Sequence, residues 1–229
     1  MWKRFSSCVW MLLVTSASLA ADLTHTEIRW LKGVWPVVNF ARSSGLPLDI
    51  VVQPQPTPGA APLALGFVEG RCKLVLSMRG NAEAEATLKR LDPALADATL
   101  ELMAAHELGH CRRYVDGAWY SLPVGFAAPA TPQDLGPQMH AAFSGMKAAQ
   151  REEGFGDLVG LAWTRQRHPQ LYTRLHAWLV AERSKDLTPG SHHDTRAWLR
   201  LATDGGVFAD RSLFAGADAL WLAGLAVDE

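Results

Sequence analysis

The stretch His106-Glu107-Leu108-Gly109-His110 determines the expected fold of this 229-residue chain, because it has the pattern H-E-x-x-H. On an α-helix, residues four positions apart lie on the same face, so the imidazoles of His106 and His110 can face one ion. Neutral imidazole is a good zinc ligand, and the glutamate beside the first histidine is placed to take a proton from a zinc-activated water. The pattern therefore predicts a helix that supplies two zinc ligands and a general base.

The residues on either side of this motif favour a helix. Residues 100–105, which precede it, are good helix formers. Gly117 follows Asp116 at the expected end of the helix, and glycine readily takes the left-handed conformation that occurs after a last helical turn. We therefore predict helix over residues 94–114.

Apolar segments alternate with turn-forming residues in the rest of the chain, which indicates further helices and a few short strands. We predict helices over residues 26–40, 82–91, 139–150, 170–183 and 213–226, another helix capped by Asp194 or Thr195, and strands over residues 48–53, 63–68 and 72–78. Pro36 is expected to interrupt or bound the first helix. The last two strands would form a hairpin around Glu69-Gly70-Arg71, whose edge either binds a peptide by strand addition or is only structural.

Composition indicates a globular protein of one domain. Apolar residues make up 48% of the sequence, which is enough for a core in a chain of this length. The formal net charge is −1 and the sequence contains no basic run, so nucleic acid is not an expected partner. We expect an α+β fold that is mostly helical, with a small antiparallel sheet before the motif helix. The oligomeric state does not follow from the sequence.

The N-terminus has the features of a signal peptide. Lys3 and Arg4 are followed by an apolar run over residues 8–14, which is shorter than a membrane-spanning helix, and by small residues suited to cleavage. We expect residues 1–21 to be removed. This leaves a single domain over residues 22–229 that is exported, periplasmic or secreted, and has no stable membrane span. The alternative is an N-terminal anchor that stays uncleaved.

Two cysteines, Cys72 and Cys111, follow the predicted signal peptide. An exported protein can oxidise such a pair, and the bond would tie the strand before the motif helix to the helix itself, one residue after His110. The sequence leaves open whether the two form a disulfide or remain buried thiols, because bridging requires Cα atoms within about 7 Å.

A catalytic zinc needs a third protein ligand, and the sequence offers two candidates. Glu153 stands four positions before Asp157, so on a helix Glu153 would bind the metal while Asp157 accepts a hydrogen bond from the other ring nitrogen of His106. Asp116 is the alternative, six residues after His110. Without a turn at a glycine between them, a helix directs Asp116 about 120° away from the histidine, which favours Glu153.

Three glycines, Gly154, Gly156 and Gly160, lie in the segment that contains the candidate third ligand. Glycine weakens a helix, which is a cost without a purpose on an exposed surface. These positions therefore predict a close approach between this helix and the motif helix.

The motif H-E-L-G-H, followed by E-x-x-x-D from Glu153 to Asp157, resembles the gluzincin arrangement of zinc metallopeptidases. The order of segments is most similar to the M48 family, which includes HtpX, the CAAX prenyl proteases and several periplasmic proteases. The resemblance covers about residues 63–200. It implies a zincin-like catalytic domain that holds one Zn²⁺ through His106, His110 and Glu153.

A second, shorter similarity concerns the histidine pair His192-His193. Together with Thr195 it resembles the family's Thr-His-Pro-Pro-Thr segment beside the active site, with the two prolines replaced. A zinc peptidase benefits from a donor that stabilises the oxyanion of the tetrahedral intermediate. The resemblance favours His192 for this role, the chemistry alone leaves His193 open, and Arg196 or Arg200 would assist.

These observations predict an exported zinc-dependent endopeptidase that hydrolyses peptide bonds of a peptide or protein substrate through a zinc-activated water. Glu107 would take the proton of that water and pass it to the leaving amine. Two alternatives remain: a non-proteolytic zinc-binding adaptor or chaperone with a degenerate peptidase fold, and a metzincin-like peptidase with Asp116 as third ligand. Cleavage specificity and latency do not follow from the sequence.

Overall fold

The structure, a computed structural model, describes residues 22–55, 57–127, 136–185 and 191–226. The predicted signal peptide over residues 1–21 lies outside the described residues. Within them the chain has an α+β fold that is mostly helical, as the sequence predicts. None of the helices described is long and apolar enough to cross a membrane.

All the predicted helices and strands occur in the described part of the chain, and most begin and end within a few residues of the expected positions. The exception is the helix predicted over residues 139–150, which continues without a break to Arg167. The helices and strands are α1 (His25–Ser43), β1 (Leu48–Gln53), β2 (Leu63–Val68), β3 (Arg71–Ser77), α2 (Ala82–Arg90), α3 (Ala96–Val115), α4 (Pro137–Arg167), α5 (Tyr172–Arg183), α6 (Arg196–Leu201) and α7 (Leu213–Leu225). Short 3-10 turns precede α5, at Pro169–Leu171, and α7, at Gly205–Phe208.

The sheet is mixed, so the prediction of an antiparallel sheet is correct for only one of its two strand pairs. β3 is the central strand, with β2 antiparallel on one side and β1 parallel on the other. A parallel pair needs a crossover connection, and here the loop after β1 together with β2 itself supplies it. The tight turn at Glu69 and Gly70, both with positive φ, joins the antiparallel pair. Within the described ranges, one edge of β2 therefore has no strand partner.

Pro36 lies inside α1 and neither interrupts nor bounds it, contrary to the expectation from sequence. A proline inside a helix removes one backbone hydrogen bond. Trp30, Val34, Val37 and Val38, on both sides of the proline, are fully buried, and packing of this face stabilises the helix more than the lost bond weakens it.

The centre of the fold is the packing of α3 against α4. A Cβ atom on Gly109 of α3 would lie 3.1 Å from the Cα atom of Gly156 in α4, and a Cβ on Gly160 would lie 3.0 Å from the carbonyl oxygen of Leu102. The close approach predicted from the glycines is thus present at Gly156 and Gly160. Gly154 instead faces the indole of the buried Trp198 from α6.

A disulfide joins Cys72 of β3 to Cys111 of α3, with a Cα–Cα distance of 5.6 Å. Alternate residues of β3, namely Cys72, Leu74 and Leu76, are buried against the helices. The covalent bond thus connects the central strand to the motif helix, one residue after His110. Of the two possibilities that the sequence leaves open, a disulfide or two buried thiols, the structure has the disulfide.

Candidate metal centre

Helix α3 presents both motif histidines on its inner face. The Nε2 atoms of His106 and His110 lie 2.9 Å apart, and both side chains are largely buried. This proximity follows from the four-residue spacing on one helix. Two imidazole nitrogens directed at one point are an arrangement suited to a shared cation.

Glu153 of α4 completes a three-residue cluster with the histidines. One carboxylate oxygen lies 3.6 Å from Nε2 of His106, and the other lies 3.4 Å from Nε2 of His110. One ligand atom from each of the three residues lies within 4.8 Å of the others. Asp116, the alternative candidate, lies at the C-terminal end of α3 and pairs with Arg112 across 2.7 Å on the surface. The structure therefore brings Glu153, and not Asp116, to the histidines.

Asp157, one helical turn after Glu153, lies behind His106. Its Oδ1 atom accepts a hydrogen bond from Nδ1 of His106 at 2.9 Å, and its Oδ2 atom accepts one from the hydroxyl of Thr195 at 2.6 Å. The Asp157 side chain is fully buried. A buried carboxylate is stable as the anion only when its oxygens have donors, and these two bonds supply part of that requirement.

Arg183, at the end of α5, supplies the remaining donors. Its Nε and Nη2 atoms donate to the two oxygens of Asp157 at 2.9 and 2.7 Å, and Nη2 also donates to Glu153 at 3.0 Å. Burial raises the pKa of Asp157, but the charge of Arg183 and the hydrogen bond with His106 outweigh it and hold that pKa below its ordinary value. One guanidinium thus keeps both carboxylates anionic and oriented.

The pKa of Glu153 is lowered by a similar balance. Burial raises it, and the neighbouring charges of His106, Arg183 and His110, with a hydrogen bond from His110, lower it by more. The Glu153 carboxylate therefore stays anionic to a lower pH than an ordinary glutamate, and the anion is the form that binds a cation.

Gly156 fixes how closely α4 approaches His106. A Cβ atom on Gly156 would lie 2.7 Å from Cε1 and 2.8 Å from Nδ1 of the imidazole. These distances are shorter than any normal contact, so only glycine leaves room for the ring between the two helices. Glycine is a weak helix former, but position 156 requires it because the His106 ring fills the space that a side chain would need.

The cluster opens into a cleft of about 570 Å³. Glu107 lines this cleft beside the two histidines, and so does the first half of β2, whose outer edge has no strand partner among the described residues. The remaining walls are largely apolar and include Leu102, Met103, Trp119 and Trp178. The glutamate of the motif, three candidate ligands and a strand edge that is unpaired in the described part of the chain therefore share one groove.

The histidine pair before α6 lies beside the cluster, with one member facing the cleft. His193 lines the cleft, and its Nε2 atom is 3.8 Å from Glu153. His192 packs against the His193 ring on the exposed side and is not among the residues that line the cleft. The sequence resemblance favours His192 as the oxyanion donor, but the structure places His193 at the cleft. The turn in which Asp194 N–H donates to the Ser191 carbonyl directs the second imidazole inward.

Two residues at the site had no signal in the sequence, Arg183 and Trp119. Arg183 stands in the last turn of a helix, where basic residues are common for electrostatic reasons alone. Arg196, considered from sequence as an assisting residue, instead pairs with Asp194 across 2.7 Å on the surface, and Arg200 is exposed. Only the three-dimensional arrangement identifies which arginine belongs to the site.

No family model matches this chain, and no curated protein or solved structure matches it.

Proposed function

We propose that this chain is an exported zinc-dependent endopeptidase, with Zn²⁺ held by His106, His110 and Glu153. The observation that carries the proposal is the meeting of these three side chains at the floor of a cleft, with Glu107 beside them. The disulfide between the central strand and α3 supports export, because such bonds persist in oxidising compartments.

The spacing of the cluster fits zinc. Two ligands about 2.1 Å from a tetrahedral ion lie about 3.4 Å from each other. The two histidine Nε2 atoms are 2.9 Å apart, and oxygens of Glu153 lie 3.4 Å from that of His110 and 3.6 Å from that of His106. Two imidazoles and one carboxylate, with space for a fourth group on the cleft side, are a donor set of catalytic zinc sites.

Bound zinc would supply Lewis acidity, which lowers the pKa of a water molecule and polarises a carbonyl group. Glu107, which lines the cleft next to His106, would take a proton from the attacking water and return it to the leaving amine. His193 would donate to the carbonyl oxygen as negative charge develops there. Asp157 and Arg183 would hold the imidazole of His106 and the Glu153 carboxylate in place.

The substrate is a polypeptide in extended conformation. The free edge of β2 lines the cleft, and an extended peptide can add to such an edge through main-chain hydrogen bonds. Main-chain hydrogen bonds would position the scissile bond through the backbone of the peptide, without the need for one particular side chain or a free terminus. This geometry favours an endopeptidase.

Replacement of Glu107 by Gln tests the mechanism. Glu107→Gln should reduce casein cleavage by at least about a thousandfold and leave one zinc per chain, because the general base is lost and the ligands are not. Glu85→Gln is the matched control, since Glu85 is an exposed glutamate of α2 that does not line the cleft, and this variant should cleave casein normally. Chelator-sensitive activity that survives in Glu107→Gln would overturn the mechanism. One bound zinc without cleavage by the unmodified chain would favour the adaptor instead.

Zinc content distinguishes the two candidate third ligands. Glu153→Ala should lose bound zinc, whereas Asp116→Ala should retain it, because the Asp116 carboxylate pairs with Arg112 at the surface. Loss of zinc from Asp116→Ala alone would support the metzincin-like alternative.

A further inference from the structure

A row of stacked aromatic rings connects the edge strand to the metal cluster. Phe67 of β2 stacks on Tyr114 with ring centroids 5.0 Å apart, and Tyr114 stacks on Trp119 at 4.0 Å. The indole of Trp119 then meets the imidazole of His110 edge-on at 5.4 Å. Tyr114 and Trp119 both line the cleft and are half-buried. A peptide lying along β2 would therefore pass an aromatic wall where it reaches His110.

A buried ion pair holds Trp119 in this position. The Arg113 side chain donates to both oxygens of Glu152 at 2.9 and 3.0 Å, and it also donates to the carbonyl oxygen of Ser121 at 2.9 Å. Glu152 in turn accepts from the N–H of Tyr120 at 2.9 Å. The two charged groups thus bond to the backbone on the C-terminal side of Trp119. Burying a charged side chain costs free energy unless all its polar atoms are paired. Here both side chains complete their pairing with backbone atoms of Tyr120 and Ser121, which holds the turn after Trp119 in place.

The same turn contains strained backbone. Tyr120 has φ of 61°, a left-handed conformation that costs a non-glycine residue free energy. Its side chain is 48% exposed, so burial of its ring does not explain the conformation. Strain of this kind persists where surrounding contacts enforce it, and it is typical of functional sites. The turn that contains Trp119, which lines the cleft, therefore has a strained residue directly after the indole.

We propose that Trp119 determines specificity by receiving an aromatic or large aliphatic side chain next to the scissile bond, on the His110 side. The proposal rests on the proposed function, because it assigns the substrate's position in the same cleft. The Trp119 ring is stacked between neighbours, on Tyr114 at 4.0 Å and on Tyr120 at 5.0 Å, and the parts of Trp119 and Tyr114 that line the cleft together offer an apolar surface for such a side chain. A small side chain would leave that surface uncovered, and a charged side chain would lose its hydration there.

Two fluorescent peptides that differ only in Phe or Ala next to the scissile bond test this assignment. The wild-type chain should cleave the Phe peptide with a kcat/KM about tenfold or more above that of the Ala peptide. In Trp119→Ala the ratio should fall to near one, and Trp119→Phe should restore most of it. Trp35→Ala is the matched control, since Trp35 is an exposed tryptophan of α1 and should keep the wild-type ratio.

A purely structural role for Trp119 predicts a different outcome. Both peptides would then lose kcat/KM by the same factor in Trp119→Ala, with a lower Tm and an unchanged ratio, and the proposal would be overturned. Fluorescence polarisation with zinc-loaded Glu107→Gln measures the same preference without cleavage. If wild-type protein cleaves nothing but a Trp119-dependent preference for the Phe peptide remains in binding, the peptidase function fails and the specificity site stands. Equal binding of both peptides overturns the specificity site itself.

Discussion

Asp157 accepts a hydrogen bond from Nδ1 of His106 across 2.9 Å, and this contact fixes which imidazole nitrogen can bind a cation. A carboxylate can only accept, so Nδ1 carries the proton and Nε2 has a free lone pair. Nε2 is the atom that faces His110 and Glu153. The orientation of the motif histidine therefore depends on a residue 51 positions away in the sequence.

Replacing Asp157 by Asn should weaken zinc binding about 10- to 100-fold. The amide can donate to Nδ1 and so favour the tautomer in which Nε2 carries the proton. A competition assay with a coloured chelator measures the Kd. Asp116→Asn, an exposed aspartate at the end of α3, serves as the control and should bind zinc like the wild type. Equal affinity in Asp157→Asn would contradict the assigned tautomer.

Gly156→Ala should disrupt the metal site through a steric contact. The added methyl group would lie 2.7 Å from the imidazole of His106, so the ring or the helix must move. We expect zinc content to fall well below one per chain. Gly145→Ala, in the same helix with no atom near the added methyl group, should stabilise the protein by about 0.5–1 kcal/mol. Full zinc content in Gly156→Ala would show that the helices are not so closely packed.

Loss of the Cys72–Cys111 disulfide should lower the free energy of unfolding by about 4 kcal/mol. The bond closes a loop with a sequence separation of 39, and restricting the unfolded chain over that length accounts for the estimate. Thermal unfolding with and without a reducing agent measures the change in Tm, expected to be about 10 °C. The Cys72→Ser, Cys111→Ser double variant should have the lower Tm in both conditions. A wild-type Tm that does not respond to reduction would argue against the bond.

Acid should selectively weaken the contact between Glu27 and Arg79. The hydrogen bond from Arg79 lowers the pKa of the buried Glu27 carboxyl below its ordinary value of 4.5. Its contribution to stability is therefore complete above about pH 4.5 and is lost as the pH falls through the lower, folded-state pKa. Glu27→Gln should cost about 1–2 kcal/mol at pH 7, and the difference from wild type should shrink in acid.

Denaturant unfolding at several pH values measures this difference. Glu83→Gln is the control, because Glu83 and its partner Arg90 are both exposed and their pair contributes at most about 1 kcal/mol. A difference between wild type and Glu27→Gln that is constant down to pH 3 would contradict the assignment.

Structural features that follow from a short spacing in the sequence were predictable. The four-residue spacings of His106 with His110, and of Glu153 with Asp157, each place two side chains on one helical face, and both pairs meet at one cluster. The glycine at position 156 also carried a correct signal, because a weak helix former in a helix needs a reason. Local geometry was sufficient for these parts of the site.

Contacts between distant segments that no motif marks were not predictable. Arg183 looks like any basic residue at a helix end, and Trp119 looks like one more aromatic residue in a loop. The parallel pairing of β1 depends on the path of the chain after that strand, which no local pattern records. Which imidazole of the His192-His193 pair lines the cleft depends on the turn from Ser191 to Asp194. A single sequence contains no repeat or spacing that links such segments.

The two neighbouring carboxylates of α4 limit where this helix can change in length during evolution or engineering. Glu152 and Glu153 leave the helix about 100° apart, one bonded to the turn after α3 and the other to the histidines. An extra residue between Glu153 and Asp157 would rotate Asp157 by the same angle and take it away from His106. An extra residue in the first turn or two of α4 would move side chains that are mostly exposed. Insertions and deletions in α4 should therefore be tolerated at its N-terminal end and nowhere near its middle.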